Sequence, residues 1–244
     1  MPVCEFKLQY QSSKTEENAA VAIIVAAGSS SRMGGVNKQF IEIDGIPVIA
    51  RTVSKFENSP FVKRIIIVSR DADITQMQKI CDNYAFQKVT DIVSGGQNRH
   101  ESVMNGFSRI AEDEENVIIH DGARPFVTDG MIKDSVLALC NFDCAVCGIK
   151  VVDTVKKADG NENVISTVDR KDLYLAQTPQ AVRKKAYIEA VKLCENPEEF
   201  TDDASIMENA KKTVKMINGS RKNIKITSKE DLELAILFAK GETV

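Results

Sequence analysis

Histidine is scarce in this chain: His100 and His120 are the two that it contains among 244 residues. A Ser/His/Asp hydrolase needs an imidazole base beside its nucleophile. His100 sits in a helix-start context, and His120 closes an apolar run, where histidine serves as a hydrogen-bonded structural group, so that chemistry has little support. Long apolar runs are missing as well. No stretch approaches the roughly 18 consecutive apolar residues of a membrane span, and the first 20 residues lack the apolar centre of a secretory signal. Nor is there an excess of charge of one sign. The 32 Lys and Arg stand against 35 Asp and Glu, a formal net charge of -3, which argues against a general nucleic-acid or membrane-surface binder and means that any phosphate site is built locally. A cytoplasmic protein with no nucleic-acid or membrane partner is expected. Six cysteines in so long a chain do not suggest the disulfide framework of a small secreted domain. Cys144 and Cys147 have the spacing of a metal or redox pair, but on the apolar run 144–151 two residues three apart face opposite sides of a strand, as small apolar filler does.

What is present is an alternating rhythm. Residues 1–20 show neither helical nor strand periodicity and read as a flexible extension. From Val21 the run to Ala27 is continuously apolar, rich in β-branched residues and closed by Gly28, as expected of a strand covered on both faces. Residues 64–69 and 116–120 repeat that pattern. Between them, Val48, Thr52, Val53 and Phe56, then Ile74, Met77, Ile80 and Tyr84, then Val103, Phe107 and Ile110 have helical spacing. Strands that alternate with helices predict a doubly wound, three-layer α/β sheet whose ligands sit at the carboxyl ends of the strands. After Cys144 the rhythm changes. Residues 150–157, a turn at Asp159-Gly160-Asn161 and residues 163–169 resemble a β-hairpin, an arm over about 150–172. Strands are then expected at 173–177, 214–217 and 223–227, with helices near 183–195 and 203–211 and a last helix opening at Ser228, where Asp231 completes a capping box. The expectation is one domain over residues 21–244.

Three constellations carry chemistry. Ala26, Ala27 and Gly28 open a small-residue loop after the first strand, followed by Arg32 and Lys38. It is neither GxxxxGK[ST] nor GxGxxG, yet its backbone N–H groups and two cations suit a polyanion. An ordinary βα turn with two solvated cations accounts for the same residues. The second run, from Gly95 and Gly96 through Gln97 to Ser102, lies where a strand over 89–93 meets a helix. Paired glycines let the backbone approach a flat ligand, and Ser102, about two turns into the helix, offers a hydroxyl to a base edge. A plain turn and helix fit equally. In the third, Asp121 follows the apolar run 117–119, placed to hold Mg2+ on substrate phosphates, with Arg124 beside it for a second phosphate. Weaker candidates are Thr154, Arg170, Thr178, Thr201 and Lys225. Lys225 can be an edge gatekeeper, Arg170 a solvated hairpin residue and Thr201 a helix N-cap.

Taken together, the runs AAGSSSRMG, KQF, GGQNRHESVMNG, HDGARP, DTVK, QTPQ, TDDAS and NIKIT resemble the 2-C-methyl-D-erythritol 4-phosphate cytidylyltransferase family from Val21 to the last helix. The resemblance implies a Rossmann-like nucleotidyltransferase fold with a mostly parallel sheet and a protruding β-arm. It implies a transfer from CTP to a small polyol phosphate with Mg2+. The loop at Ala26, Ala27 and Gly28 would wrap CTP, with Arg32, Lys38 and Lys225 as catalytic cations. Gly95, Gly96, Gln97 and Ser102 fall where cytosine is read, and Asp121 near the metal. Asp121, Arg124, Thr154, Arg170, Thr178 and Thr201 fall around the acceptor. It also implies a homodimer, with Thr154 and Arg170 on the arm acting in trans. The chain departs from the family pattern at Ser30, where Gly is usual, and in an Arg32 to Lys38 spacing one residue short. Ribitol-5-phosphate cytidylyltransferase, on the same scaffold, and a non-catalytic nucleotide-binding regulatory protein are the alternatives. The arm residues 153–157 favour methylerythritol phosphate over ribitol phosphate by fold-level analogy.

Overall fold

A computed structural model of the chain describes residues 18–28 and 37–241. Its first strand, β1 (Ala20–Val25), shows why an unbroken apolar run is needed here. Side chains alternate across a strand, and Ala20, Ala22 and Ile24 enter one core while Val21 and Ile23 enter another. The same division runs through β4 (Val62–Ser69), with Ile65 and Ile67 on one side and Ile66 and Val68 on the other, and through β6 (Asn116–Asp121). Both faces must therefore be covered, and amphipathic helices cover them.

One face carries α1 (Val48–Glu57), α2 (Ile74–Asn83) and α4 (Asp129–Ala138), through residues such as Phe56, Met77 and Ile132. The other carries α3 (Arg99–Phe107), α5 (Lys184–Leu193) and α6 (Asp203–Asn209), through Val103, Tyr187 and Met207. Phe56 is fully buried, and truncating such a phenylalanine to alanine costs about 3–5 kcal/mol. A third, smaller core joins the short hairpin β2 (Glu42–Ile43) and β3 (Ile46–Pro47) to α7 (Lys229–Lys240) through Ile43, Phe126, Ile226 and Ala235.

The seven-stranded sheet also takes in β5 (Val89–Ser94), β7 (Cys144–Lys150), β10 (Tyr174–Arg183) and β11 (Val214–Asn218), in the order β11-β7-β10-β6-β1-β4-β5. All its pairings are parallel except those of β10, which runs against both β6 and β7. The chain steps from β1 out to β4 and β5, then returns to the other side of β1 as β6. The reversal lies between β1 and β6, and a crevice opens there at the carboxyl ends of the strands.

Residues 155–168 form the expected hairpin, β8 (Val155–Ala158) against β9 (Val164–Val168), in a small sheet of their own. Its turn is tied by the Asp159 carboxylate, which accepts from the Asn161 and Asn163 amides. Cys144 and Cys147 do face opposite cores on β7. Burial raises both thiols, that of Cys147 to about 12, so both stay protonated and inert.

Several expectations are corrected. Residues 223–227 are not a strand. Their backbone goes to the loop after β6 instead, Ile226 N donating to Ala123 O at 2.9 Å, because Ile226 packs in the third core rather than along a sheet edge. β10 extends to Arg183, well past Gln177. The helix α4 was not foreseen, since its buried positions Met131, Ile132, Ser135, Val136 and Leu137 include a serine and form no narrow apolar stripe. The capping box at Ser228 and Asp231 is formed.

Candidate functional site

Each parallel strand ends at the same rim, and the backbone continues its pairing one step further. Ala26 N donates to Val68 O, Gly95 N to Ser69 O and Gly122 N to Val25 O, at 2.7, 2.7 and 2.9 Å. These bonds stitch together the three loops in which the sequence places its motifs. The loop after β1 and the turn after β5 touch so closely that a Cβ on Gly95 would lie 2.4 Å from the Ala27 Cβ. Only glycine fits there.

After that turn, Asn98 caps α3 by accepting from the Glu101 amide at 2.8 Å. Ser102 is therefore in the first turn of the helix, not two turns in. Its hydroxyl accepts from Gly96 N at 3.0 Å and donates to Asn98 O at 2.9 Å. It shapes the loop, and Gly96 and Gln97 form the pocket wall above it.

Lys38 begins a 3-10 turn (Lys38–Phe40) whose N-cap, Asn37, accepts from the Gln39 amide at 3.1 Å. The Asn37 amide group donates to the buried Asp73 carboxylate at 2.7 Å, which also takes the Arg70 guanidinium. Lys38 is thus carried on a turn tied to the residues that follow β4.

Asp121, 7% exposed, is the centre of the electrostatics. Its Oδ2 lies 2.9 Å from Lys225 Nζ and 3.5 Å from Arg124 Nε, and its Oδ1 lies 3.8 Å from Arg99 Nε. Burial alone would raise its pKa, but Lys225, Arg99 and Arg124 outweigh burial and hold the carboxyl well below the usual range. Its amide N–H donates to the Thr178 hydroxyl at 3.1 Å. Thr178 reaches that spot because the pairing of β10 with β7 slips between Gln177 and Gln180.

Lys225 rides on a pinned segment. Asn223 Nδ2 donates to Thr178 O at 2.8 Å, and Arg124 Nη1 donates to Asn223 O at 2.8 Å. His120 is fully buried, tilted against Phe56 with ring centroids 4.9 Å apart, and its Nε2–H donates to Arg124 O at 3.2 Å. Burial pushes it down to about 4, so it is neutral at pH 7 and supports the loop rather than reaching the pocket.

Ala27, Gly28, Lys38, Gly96, Gln97, Ser102, Asp121 and Lys225 line one hollow of about 330 Å³. Ala26, Gly95, Arg124 and Thr178 stand directly behind that wall through the contacts above. Other predicted residues are not brought there. Thr154, Arg170 and Thr201 are exposed and do not line it, and Arg170 instead donates to Val152 O across the base of the hairpin. The N-cap of α6 is Asp202, not Thr201, because the Asp202 carboxylate accepts from Ser205 N in a capping box. Arg32 and Ser30 lie outside the described residues.

Sequence reasoning missed Arg99, which lines the hollow and joins Asp121 to Asp203. Its signal was the Asn98 cap, which places the next residue at the mouth of the crevice. Gln39 and Asn98 also line the hollow unforeseen.

Lys225, Arg99 and Arg124 gathered around one carboxylate, with Lys38 lining the same hollow at the reversal point of a doubly wound sheet, make this a doubly wound α/β protein with a pocket suited to a polyanion. Comparison with known proteins narrows the class. The family model IspD, 2-C-methyl-D-erythritol 4-phosphate cytidylyltransferase, matches residues 20–240. The 2-C-methyl-D-erythritol 4-phosphate cytidylyltransferase of Geobacillus kaustophilus (strain HTA426) is 41% identical over 216 residues, covering 88% of this chain and 94% of that one. The enzyme of the same name from Syntrophus aciditrophicus (strain SB) is 37% identical over 225 residues, covering 91% and 96%. Among solved structures, the 4-diphosphocytidyl-2C-methyl-D-erythritol synthase of Anaerococcus prevotii DSM 20548 superposes with a TM-score of 0.81 at 30% identity, covering 93% of this chain and 98% of that one. The chain belongs to the IspD family.

Proposed function

We propose that this chain transfers the cytidylyl group of CTP to 2-C-methyl-D-erythritol 4-phosphate, giving 4-diphosphocytidyl-2-C-methyl-D-erythritol and pyrophosphate. One observation carries the reading: in a chain of this family, Lys38 and Lys225 share a glycine-walled hollow with a carboxylate held ionised by its neighbours. An acceptor phosphate oxygen forms the new bond to the α-phosphorus, the bond from that phosphorus to the β-phosphate oxygen breaks in line, and pyrophosphate carries off the electron pair. The nucleophile is already anionic at neutral pH, so no general base is needed; positioning and charge stabilisation suffice. The neutral, buried His120 is consistent with that.

The loop opened by Ala26, through the N–H groups of Ala27 and Gly28 and with Arg32 and Lys38, would hold the triphosphate. Gly95, Gly96, Gln97 and Ser102 would seat the cytosine. Asp121 would face the acceptor, with Arg124 and Thr178 holding it from behind the wall and Thr201 standing outside the hollow, and Lys225 would lie between the two phosphates.

Among the described residues no cluster of three or more His, Cys, Asp or Glu forms a metal cage. A divalent cation is therefore compatible only with phosphate oxygens completing its shell. The donor set allows this: Asp121 Oδ2 is engaged by Lys225, while Oδ1 has a single contact, at 3.8 Å. Mg2+ held jointly by Asp121 and the triphosphate would neutralise charge on the leaving pyrophosphate.

We further infer a homodimer. Val152, Val164, Ile165 and Leu175, on and beside the hairpin, are each more than half exposed, and such a set of apolar side chains suits burial against a second copy. Thr154 and Arg170 on that arm would then complete the acceptor site of the other copy. No helix among the described residues is long and apolar enough to cross a membrane.

Pyrophosphate release measured with CTP and Mg2+, against methylerythritol phosphate and ribitol 5-phosphate in parallel, tests the reaction. Release with the first acceptor is expected; release with ribitol 5-phosphate alone, or CTP binding without turnover on either, would overturn it.

A further inference from the structure

The contact between Lys225 and Asp121 poses a problem that the rest of the site answers. Lys225 Nζ is 2.9 Å from Asp121 Oδ2, and an ammonium cannot serve an incoming phosphate fully while it neutralises a carboxylate. If it simply left, Asp121 would lose its closest counterion and keep only the 3.5 Å contact of Arg124, whose Nη1 is committed to Asn223 O, and the longer one of Arg99, and a buried charge so thinly compensated is unfavourable. A second counterion must stand ready.

Arg99 has the geometry for this. Its Nη2 donates to Asp203 Oδ2 at 2.7 Å, and its Nε faces Asp121 Oδ1 at 3.8 Å, close enough for attraction but short of a hydrogen bond. Asp203 is 1% exposed and is held on its other oxygen by the Tyr187 hydroxyl at 2.8 Å. Arg99 is thus anchored from behind by a fixed carboxylate while its forward edge points at the pocket. A lysine could not make both contacts, because the fork of the guanidinium is what spans them.

We propose that Arg99 is a positioning residue: anchored by Asp203, it becomes the principal counterion of Asp121 when a polyanion enters, and so releases Lys225 to the phosphates. The proposal rests on the functional reading above for the identity of the polyanion, but not for the exchange itself. It also gives the run at Thr201, Asp202 and Asp203 a structural consequence in the pocket: α6 starts where it does so that Asp203 can hold Arg99.

The test is a double-mutant cycle on CTP affinity, measured by calorimetry without added divalent cation, with inorganic pyrophosphate as a second probe. Wild type, Arg99→Gln, Lys225→Met and the double variant are compared. Arg99→Gln is expected to weaken CTP binding about tenfold, and Lys225→Met to cost several-fold less in that background than in wild type, because an unreleased lysine contributes little. Asp203→Asn should weaken binding in the same direction as Arg99→Gln and add less than about twofold on top of it. Arg99→Lys keeps the charge and tests the fork; it should recover folding but only part of the affinity.

Thermal unfolding distinguishes a folding defect, and if Arg99→Gln is unfolded the Arg99→Lys and Asp203→Asn pair carries the cycle with Lys225→Met. Strict additivity of the Arg99 and Lys225 effects, or an unchanged affinity in Arg99→Gln, overturns the proposal. Wild-type chain that binds CTP but turns over no acceptor counts against the reaction and leaves the cycle fully readable. Wild-type chain that binds neither CTP nor pyrophosphate, with or without Mg2+, overturns both.

Discussion

Asn223 Nδ2 and the carbonyl oxygen of Thr178 are 2.8 Å apart, a buried hydrogen bond that ties the segment carrying Lys225 to the slipped part of β10. Asn223 is fully buried, and no sheet ladder holds residues 223–227. Removing the side chain leaves a buried carbonyl without this donor, at a cost of about 1–3 kcal/mol. Asn223→Ala should therefore lower the unfolding free energy measured in urea by that amount and also depress kcat/KM, since Lys225 loses its fixed base. Full turnover in a variant destabilised to that degree would disconnect Asn223 from the positioning of Lys225.

The two lysines of the hollow are expected to act mainly on the chemical step. Charge gathers on the transferred and leaving phosphates as the reaction proceeds, and a fixed cation in a sheltered pocket is worth about 3 kcal/mol or more there, roughly a hundredfold in rate. Lys38→Met and Lys225→Met should each lose that much in kcat; Lys38→Met should unfold at nearly the wild-type temperature, because its side chain is not buried in a core, whereas Lys225→Met should unfold lower, because it removes the 2.9 Å partner of the buried Asp121. Near-normal turnover in either variant, followed through pyrophosphate release, would remove that lysine from the catalytic set.

Burial lowers the His120 pKa to about 4, and the sign of the effect on stability follows. The unfolded chain, with an ordinary value near 6.5, binds a proton that the folded chain refuses, so stability is greatest above pH 6.5 and falls as the pH drops toward 4. From this group alone the loss approaches about 3 kcal/mol at the lower end. A urea midpoint measured from pH 7.5 to 4.5 should show that slope, and His120→Gln, which keeps a donor for Arg124 O, should flatten it. A slope unchanged in the variant would assign the acid sensitivity to other groups.

The sheet was legible because its strands are covered on both faces. Runs such as 21–25 and 65–68 must be apolar at every position, and no other element of a chain this length requires that of so few residues. Helices with a full apolar stripe, α1 and α2, were legible for a similar reason, whereas α4 was not, because its buried face includes Ser135 and its apolar residues form no narrow stripe. Residues 223–227 misled for the opposite reason. Ile224 and Ile226 alternate like a strand, but they pack against α7 in a core distant from the sheet. In the site, residues flanking a strand end could be named from the sequence, since rim loops follow from topology. Arg99 could not. The Asn98 cap marks its position, but its role depends on Asp203, 104 positions further on, and that pairing leaves no local trace.

The hairpin gives the most discriminating prediction about assembly. Thr154 and Arg170 are exposed and outside the hollow of their own chain, so they are free to serve a second copy. If they complete the pocket of a second copy, a chain with a dead pocket still carries a working arm. Lys38→Met and Arg170→Gln chains, each nearly inactive alone, should then restore activity when coexpressed. Half of randomly assorted twofold dimers would be mixed, and each mixed dimer would hold one intact site, so about a quarter of wild-type turnover is expected. Sedimentation of the wild-type chain should show a dimer, and charge placed at Ile165 and Leu175 should shift it toward monomer with loss of activity. Mixed chains that stay as inactive as their parents would confine each site to a single copy.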